Sequence, residues 1–225
     1  MNDRNKRRKI MSIILLALVA VVAILAGIAV YWRVRAMRNT DATTKFTGKI
    51  PGKVAIVYYS QSKVGNTEIA AKWIQKHTGG DLIAIECAEP YPDAYYSTLK
   101  AAGAERKSGK YRPIKPLPSL DRYDVIFIGS PIWYGTYAFP VAEFLKEHKL
   151  AGKIVVPFST HGGGGSANYE RDIKAACPEA TVLPGWTARG SNQLERRMKI
   201  GVTGHHTEDD VVTWLNRIFP RGSED

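Results

Sequence analysis

Residues that commonly bind metal ions are scarce in this sequence, which contains two cysteines and five histidines among 225 residues. The histidines His205 and His206 are adjacent, so their side chains diverge, and no cysteine or carboxylate stands at a ligand spacing from them. We therefore predict no metal site.

Patterns that mark several other classes of protein are also missing. There is no internal repeat, and the nearest approach to a low-complexity tract is the glycine run from Gly162 to Gly165. A hydrophobic fraction of 44% and a charged fraction of 24% are ordinary for a globular chain, which excludes wholesale disorder, collagen and a pure coiled coil. Neither standard nucleotide fingerprint is present, because the sequence has no P-loop ending in Gly-Lys-Ser/Thr and no three-glycine dinucleotide turn.

Positive charge is plentiful but unevenly distributed. A net charge of +11 would by itself favour a nucleic acid or an anionic membrane as the partner. Residues 1–49 carry ten basic and two acidic groups, a net +8, whereas residues 50–225 carry 22 basic and 19 acidic groups, a net +3. Since most of the excess flanks one segment near the N-terminus, we expect no nucleic-acid partner.

That segment is an uncharged apolar run. It extends from Ile10 to Trp32, and as a helix its 23 residues would span about 34 Å, enough for a bilayer core of about 30 Å. A cleaved signal peptide has a shorter apolar region, of about 7–15 residues, and a small-residue cleavage site. The run instead ends in Tyr31, Trp32 and Arg33, residues of the kind that anchor helices at membrane interfaces. We therefore predict an uncleaved single-pass membrane anchor.

The charges around this anchor bear on its orientation. Five basic residues precede it and four follow within about 15 residues. The denser cluster predicts that the N-terminus stays in the cytoplasm and that the C-terminal domain lies on the extracytoplasmic side of the cell membrane. The chain then divides into a basic tail (1–9), a transmembrane helix (10–32), a tether without helical or strand periodicity (33–52) and a folded domain (53–221).

Within the domain, strand and helix signals alternate. Continuous apolar runs predict strands buried on both faces, and apolar stripes with helical spacing predict helices between them. The predicted strands are 54–59, 82–85, 125–129, 154–158 and 180–183, and the predicted helices are 67–77, 94–107, 141–148, 167–176 and 208–218. This alternation predicts an α/β fold, with an open parallel sheet covered by helices on both faces.

In such folds ligands bind outside the carboxyl ends of the strands, where three loops contain candidate site residues. The first loop, residues 60–67, opens a helix, so it offers free backbone N–H groups together with Ser and Thr hydroxyls. Glycine at Gly65 would let the backbone approach a phosphate closely. The alternative is an ordinary turn in which Asn66 or Thr67 caps the helix.

The second loop, residues 129–137, places Trp133 and Tyr134 where they could stack on a planar ligand; alternatively, both rings cover the core. The third loop, residues 159–166, exposes backbone donors at four glycines, with a flexible connector as the alternative. An esterase-type oxyanion turn at residues 161–164 would also need Gly-x-Ser-x-Gly, and the segment 164–168 lacks the final glycine. We therefore do not expect a hydrolase.

Together the three loops resemble those of the flavodoxin-like family of bacterial FMN-binding proteins. The resemblance extends from about Lys53 to Gly190 and rests on Gly-Ser-Pro-Ile-Trp-Tyr-Gly-Thr at 129–136 and Pro-Phe-Ser-Thr-His-Gly-Gly at 157–163. It also includes the segment 178–183 and the pair Arg189-Gly190. It implies a doubly wound five-stranded parallel sheet of order 2-1-3-4-5 and FMN as the cofactor.

The resemblance also implies which residues bind FMN. The first loop would hold the phosphate, the second would lie along one side of the isoalloxazine, and the third would pass its other edge. The residues so assigned are Ser60, Ser62, Gly65, Asn66 and Thr67 in the first loop, Pro131, Ile132, Trp133, Tyr134 and Gly135 in the second, and Thr160, His161, Gly162 and Gly163 in the third. One departure is that Lys63 and Val64 stand between Ser62 and Gly65, where the family typically continues directly into Gly-Asn-Thr. Lys63 either adds a charge-assisted bond to the phosphate or points to solvent.

A protein of this kind is predicted to carry electrons between redox partner proteins, or to quinone, at the membrane. The cofactor supplies the redox chemistry, so no catalytic nucleophile or general base is required. Two alternatives stay open. One is an FMN-dependent NAD(P)H or quinone reductase, in which Arg189, Lys199 or the pair Arg196-Arg197 binds a nicotinamide phosphate; the other is a degenerate binding domain that has lost the flavin.

The two cysteines are predicted to remain unpaired. Cys87 follows the second predicted strand, whereas Cys177 precedes the fifth at the opposite end of a different edge of the sheet. We expect two free or buried thiols, and their number does not indicate the redox compartment.

Overall fold

A computed structural model describes residues 3–38, 44–62, 65–190 and 207–221. The chain divides into two compact units, Met1–Thr40 and Asp41–Asp225. The helices and strands of each unit follow from the pattern of apolar residues in its sequence.

The first unit contains one helix, α1, from Asp3 to Arg38. Its apolar part, Ile10–Tyr31, is exposed along its whole length and, of the helices in the described ranges, is the one long and apolar enough to cross a membrane. The helix is longer than the predicted 10–32, since it includes residues 3–9 of the predicted tail and residues 33–38 of the predicted tether. Arg, Lys, Met and Ala are good helix formers, and an established helix propagates through them without an apolar periodicity.

The second unit alternates strands and helices as predicted. The strands are β1 (Val54–Tyr58), β2 (Asp81–Ala84), β3 (Val125–Trp133), β4 (Thr136–Tyr137), β5 (Ile154–His161), β6 (Thr181–Val182) and β7 (Trp186–Arg189). The helices are α2 (Asn66–Thr78), α3 (Tyr95–Ser108), α4 (Phe139–Glu147), α5 (Tyr169–Ala176) and α6 (Glu208–Ile218). Most predicted elements match these bounds to within two residues.

The sheet runs in the order β2-β1-β3-β5-β6, and every neighbouring pair on this path is parallel. Counted as five main strands, this is the predicted doubly wound α/β sheet. Two short strands were not predicted: β4 pairs antiparallel with the end of β3, and β7 pairs with the end of β5.

The fifth predicted strand, 180–183, is confirmed as β6, and Pro184 and Gly185 separate it from the additional strand β7. Proline has no N–H for the sheet, and the Gly185 N–H is donated to Glu170 Oε2 at 3.0 Å instead.

Two strands run further than predicted, β3 by four residues and β5 by three. Their parallel pairing continues through Ser130 with Ser159 and Pro131 with Thr160. Residues assigned to the second and third loops are therefore partly strand residues held side by side. This extension fixes one wall of the functional cleft.

The central strands are continuously hydrophobic and their successive residues point to opposite faces, so the sheet is buried on both faces. Val54 and Ile56 of β1 pack with Ile74 of α2 and with Leu215 of α6. Ala55 and Val57 point to the other face, where the core includes residues of α3, α4 and α5. The two layers hold the strand ends rigidly at one edge.

Residues 44–52 also belong to the folded domain, which corrects the predicted tether of 33–52. The Thr44 N–H is donated to Asp209 Oδ1 at 2.7 Å, and the Thr47 N–H to Asn216 Oδ1 at 2.9 Å. Phe46 packs against the core on the α2 and α6 side. The segment before β1 is thus fixed to α6.

Both cysteines are free and buried, as predicted. Burial raises the pKa of the Cys87 thiol to about 11. This thiol is therefore protonated at neutral pH and a weak nucleophile.

Candidate functional site

A cleft of about 250 Å³ opens at the carboxyl ends of β1, β3 and β5. Five chain segments surround it: the turn after β1 with the start of α2, the ends of β3 and β5, Gly190 after β7, and α3 with Asp93 before it. Its lining residues are Ser60, Gln61, Ser62, Asn66, Thr67, Asp93, Tyr95, Thr98, Leu99, Ala102, Pro131, Ile132, Trp133, Tyr134, Thr160, His161, Gly162 and Gly190.

At one end of the cleft lies the N-terminus of α2. Gly65 precedes this helix with φ +71°, a left-handed conformation that favours glycine, and its N–H is donated to the carbonyl oxygen of Ser62 at 2.7 Å. No side-chain hydrogen bond from this residue caps the helix. Backbone N–H groups and the positive end of the helix dipole therefore face the cleft beside the Ser62 hydroxyl.

A buried pair of hydroxyls joins the first loop to the end of β5. Thr67 Oγ1 and Thr160 Oγ1 are 2.8 Å apart, and both side chains are buried. Beside them, Gly190 donates its N–H to the His161 carbonyl oxygen at 2.8 Å. A Cβ on Gly190 would lie 2.5 Å from Asn66 Nδ2, so only glycine allows this close approach.

Three rings fix the orientation of Trp133, which forms a side of the cleft. Tyr59, Tyr91 and Phe139 contact it edge to face, with centroid distances of 5.7, 4.9 and 5.9 Å. These contacts come from the residue directly after β1, from the segment before α3 and from α4. Trp133 is therefore preorganised in its position.

The two tyrosines that pack against Trp133, Tyr59 and Tyr91, have uncharged hydroxyl groups. Burial is the main cause that raises the pKa of Tyr59 and of Tyr91. Tyr91 also donates its hydroxyl hydrogen to Glu105, whose carboxylate forms a salt bridge with Arg112 at 2.7 Å. Because that acid and base neutralise each other, this side of the cleft presents little net charge.

Tyr134 links the second loop to α3. Its backbone has φ +49°, rare for a residue other than glycine, and its hydroxyl donates to the Leu99 carbonyl oxygen at 2.8 Å. The Arg106 guanidinium lies 5.1 Å from the centre of the ring. The side chain remains 39% exposed, so it forms the rim of the cleft.

His161 organises the third loop. Its Nδ1 accepts the backbone N–H groups of Gly163 at 3.0 Å and of Gly165 at 3.1 Å. The ring proton of the neutral imidazole must then be on Nε2. The glycine run thus forms a turn that is hydrogen-bonded to the His161 ring.

Most residues assigned from the sequence meet at this cleft. Eleven line it, whereas Gly65, Gly135 and Gly163 do not. These three shape the backbone instead: each has a positive φ, and Gly135 completes the turn between β3 and β4.

The contribution of α3 to the cleft was not predicted from the sequence. Tyr95, Thr98, Leu99 and Ala102 line the cleft, together with Asp93 just before the helix and with Gln61 and Gly190 elsewhere. The signal available was topological, because β2 is parallel to β1 and its carboxyl end lies at the same edge of the sheet.

Several predicted features lie outside the described residues: Lys63, Val64, Arg196, Arg197, Lys199, His205 and His206. Arg189 is described; it is exposed on β7 and does not line the cleft. Within the ranges that the structure describes, no group of three or more His, Cys, Asp or Glu residues could hold a metal ion.

Comparison with known proteins gives consistent findings. A family profile described as flavodoxin matches residues 53–218. The chain is similar to a structure from Bacteroides eggerthii DSM 20697 described as a candidate flavoprotein, with 28% identity, coverage of 74% of this chain and 98% of the other, and a TM-score of 0.59. It is also similar to the flavoprotein in complex with FMN from Lactobacillus acidophilus NCFM, with 26% identity, coverage of 65% and 97%, and a TM-score of 0.51.

A curated relative comes from Rhizobium meliloti (strain 1021) and is named NAD(P)H dehydrogenase (quinone) 3. It is 30% identical over 125 residues, which are 49% of this chain and 56% of that protein. The match thus spans about half the length of the curated relative.

Proposed function

The chain belongs to the flavodoxin family, and from that premise we propose that it is a membrane-anchored protein that carries electrons between redox partners. FMN is its cofactor. The observation that carries the proposal is that one cleft combines a helix N-terminus suited to an anion with a tryptophan held by three rings and a glycine turn.

The residues at the first loop fit the phosphate of FMN. Backbone N–H groups at the start of α2 and the hydroxyls of Ser60, Ser62 and Thr67 are neutral donors converging on one end of the cleft. Asn66 lies beside them, packed against Gly190. Glu68, the acidic residue in the same turn, is paired with Lys72 at 2.6 Å, which offsets its repulsion of an anion.

The residues at the second and third loops fit the flavin ring. Trp133 and Tyr134 offer aromatic surface along one side, and the turn organised by His161 brings the Gly162 backbone to the other. FMN, when bound, supplies the capacity to take up and release one or two electrons. The electron-rich rings and the uncharged wall behind them disfavour added negative charge, and they should lower the reduction potential.

The N-terminal helix completes the proposal. Ile10–Tyr31 spans the membrane once, with the basic N-terminal tail in the cytoplasm and the folded domain on the other side. Anchoring raises the effective concentration of the domain toward partners at the same bilayer. The partners are redox proteins or a membrane quinone.

The test is the visible spectrum of the full-length chain in a neutral detergent, recorded before and after addition of FMN and during stepwise anaerobic reduction. Flavin bands that bleach in two resolved one-electron steps are the expected result. A chain that stays colourless with tens of micromolar FMN would overturn the proposal and leave the flavin-free binding domain as the better description.

A second candidate function is an FMN-dependent NAD(P)H or quinone reductase, which the name of the curated relative supports. Anaerobic addition of NADH or NADPH to the FMN-loaded chain distinguishes the two. Bleaching at catalytic rates without another protein favours the reductase, whereas bleaching only with a reduced redox protein favours the carrier.

A further inference from the structure

We propose that an acidic redox protein docks on one outward surface of α3, directly beside the cofactor cleft. This surface, the basic α3 surface, consists of Tyr96, Lys100, Arg106, Lys107 and Lys110. The inference deepens the proposed function, on which it rests, by assigning the chemical class of the partner and the face that receives it.

The basic α3 surface lies next to the residues of α3 that line the cleft. Tyr95, Leu99 and Ala102 of α3 line the cleft. Tyr96 and Lys100 each directly follow a cleft-lining residue, and Lys107 continues their stripe two helical turns further along. Because each residue advances about 100° around a helix, the second stripe lies beside the first. A partner on this surface would lie within about one helix diameter, about 10 Å, of the cleft.

The segment that forms this surface has a net positive charge. Residues 95–110 contain four basic groups and one acidic group, a net +3, which equals the whole positive excess of residues 50–225. The one acid, Glu105, is half-buried and paired with Arg112 at 2.7 Å. The exposed charge of the segment is therefore positive throughout, which complements an acidic partner.

The basic side chains of this surface are available to a binding partner. Lys100, Arg106, Lys107 and Lys110 are exposed, and none forms an ion pair with a carboxylate among the residues that the structure describes. Arg106 instead lies over the Tyr134 ring at the rim of the cleft. An acidic partner would supply the missing counter-charges.

Two exposed tyrosines at the start of α3 add aromatic surface. Tyr96 is 77% and Tyr95 58% exposed, and the two rings contact each other with centroids 5.4 Å apart. Tyrosine and arginine are enriched among the residues that dominate protein–protein affinity. Exposed aromatic side chains at one end of a cationic surface are therefore suited to a protein-docking site.

The experiment uses the full-length, FMN-loaded chain in neutral detergent, with a plant-type [2Fe–2S] ferredoxin as the acidic probe. Each reduced ferredoxin gives up one electron, so two ferredoxins and protons from water fully reduce one flavin. Stopped-flow absorbance gives the second-order rate constant, and titration with oxidised ferredoxin gives the affinity without any electron transfer.

Charge reversal with the double variant K100E/K107E should slow the reaction by about tenfold at low ionic strength and weaken binding similarly. The difference should shrink at high salt, where exposed charges are screened. The variant Y96A should weaken binding by a few fold at either salt concentration.

The matched control is K149E/K174E, which makes the same change in net charge at two exposed lysines outside the cleft. Rates that fall equally in both double variants would show a general charge effect and overturn the proposal. So would an unchanged rate in K100E/K107E.

Two further readouts separate the explanations. Both double variants should retain the wild-type flavin content and be reduced fully by dithionite; loss of flavin from the wild type itself would refute the proposed function, whereas ferredoxin binding to the apoprotein would still report on this surface. If Lys100 and Lys107 become protected from an amine-reactive reagent in nanodiscs containing phosphatidylglycerol, and ferredoxin rates do not depend on them, the surface faces lipid and the proposal is wrong.

Discussion

The two walls of the cleft are built in different ways. The wall formed by the ends of β3 and β5 and the start of α2 is tied together inside the protein, through parallel pairing, the buried Thr67–Thr160 contact and the close approach of Gly190 to Asn66. The opposite wall is α3, whose buried residues are Thr98 and Ala102 alone.

α3 is attached to the rest of the domain mainly by polar contacts. Tyr134 donates to the Leu99 carbonyl oxygen, the Gln61 amide donates to the Pro92 carbonyl oxygen just before the helix, and Glu105 pairs with Arg112. Such contacts contribute less than a buried apolar face and open more easily. The sheet wall should therefore determine whether the cofactor binds, and the helix wall how easily it enters and what approaches it.

The largest effect is expected from a substitution that adds a side chain where Gly190 lies close to Asn66. In Gly190→Ala the new Cβ would meet the Asn66 amide, displace the first loop and weaken FMN binding by at least tenfold, with a loss of about 1–3 kcal/mol in the free energy of unfolding. Fluorescence titration and urea unfolding measure the two. Gly164→Ala is the matched control, because no atom lies within 4 Å of its added Cβ and the residue does not line the cleft; equal losses in both variants would contradict this expectation.

The next largest effect is expected from Trp133→Ala. Loss of the ring removes stacking surface, so FMN should bind about ten- to a hundredfold more weakly, which corresponds to about 1.4–2.8 kcal/mol. The potential of the second reduction should rise, as measured by anaerobic redox titration. Trp73→Ala removes an indole that does not line the cleft and should change neither quantity. An unchanged affinity and potential in Trp133→Ala would remove Trp133 from the site.

A smaller effect tests the buried hydroxyl pair of the sheet wall. Thr67→Val leaves the Thr160 hydroxyl buried without its partner and should lower the free energy of unfolding by about 1–3 kcal/mol. The double variant with Thr160→Val replaces both hydroxyls, so it should cost less than the sum of the single changes. Urea denaturation of the four proteins gives the coupling, and strict additivity would show that the contact contributes nothing.

The smallest effect is expected at the helix wall. Tyr134→Phe removes the hydrogen bond to Leu99, worth about 0.5–1.5 kcal/mol. Hydrogen exchange should speed up in α3 while the global stability hardly changes, and FMN should associate and dissociate faster. Tyr96→Phe is the control at an exposed position of the same helix. Faster exchange throughout the domain would indicate that α3 is not a separately opening wall.

These two walls also differ in how far the sequence predicts them. The strand ends could be predicted because buried apolar runs mark parallel strands, and parallel strands bring their carboxyl ends to one edge. Trp133, Thr160 and His161 follow from that rule together with the family motifs.

The α3 wall could not be found in the same way. Its contacts with the cleft join residues far apart in the chain, such as Tyr134 with Leu99, and small residues such as Ala102 carry no recognisable motif. The strand extensions were missed for a related reason: Pro131 reads as a strand breaker, and only its pairing with Thr160 in the folded sheet shows that β3 continues. The end of the predicted tether was misplaced because Thr44 and Thr47 gain their order from α6, which follows in the chain by more than 160 residues.

The attachment of Thr44 and Thr47 to α6 has a mechanical consequence. Tension transmitted along the backbone toward the domain reaches these two residues before it reaches β1. The hydrogen bonds to Asp209 and Asn216 bear this tension, because they transmit the force to α6, which packs on one face of the sheet. The first loop, which follows β1, is thereby shielded from pulling, so motion of the N-terminal helix need not disturb the geometry of this loop.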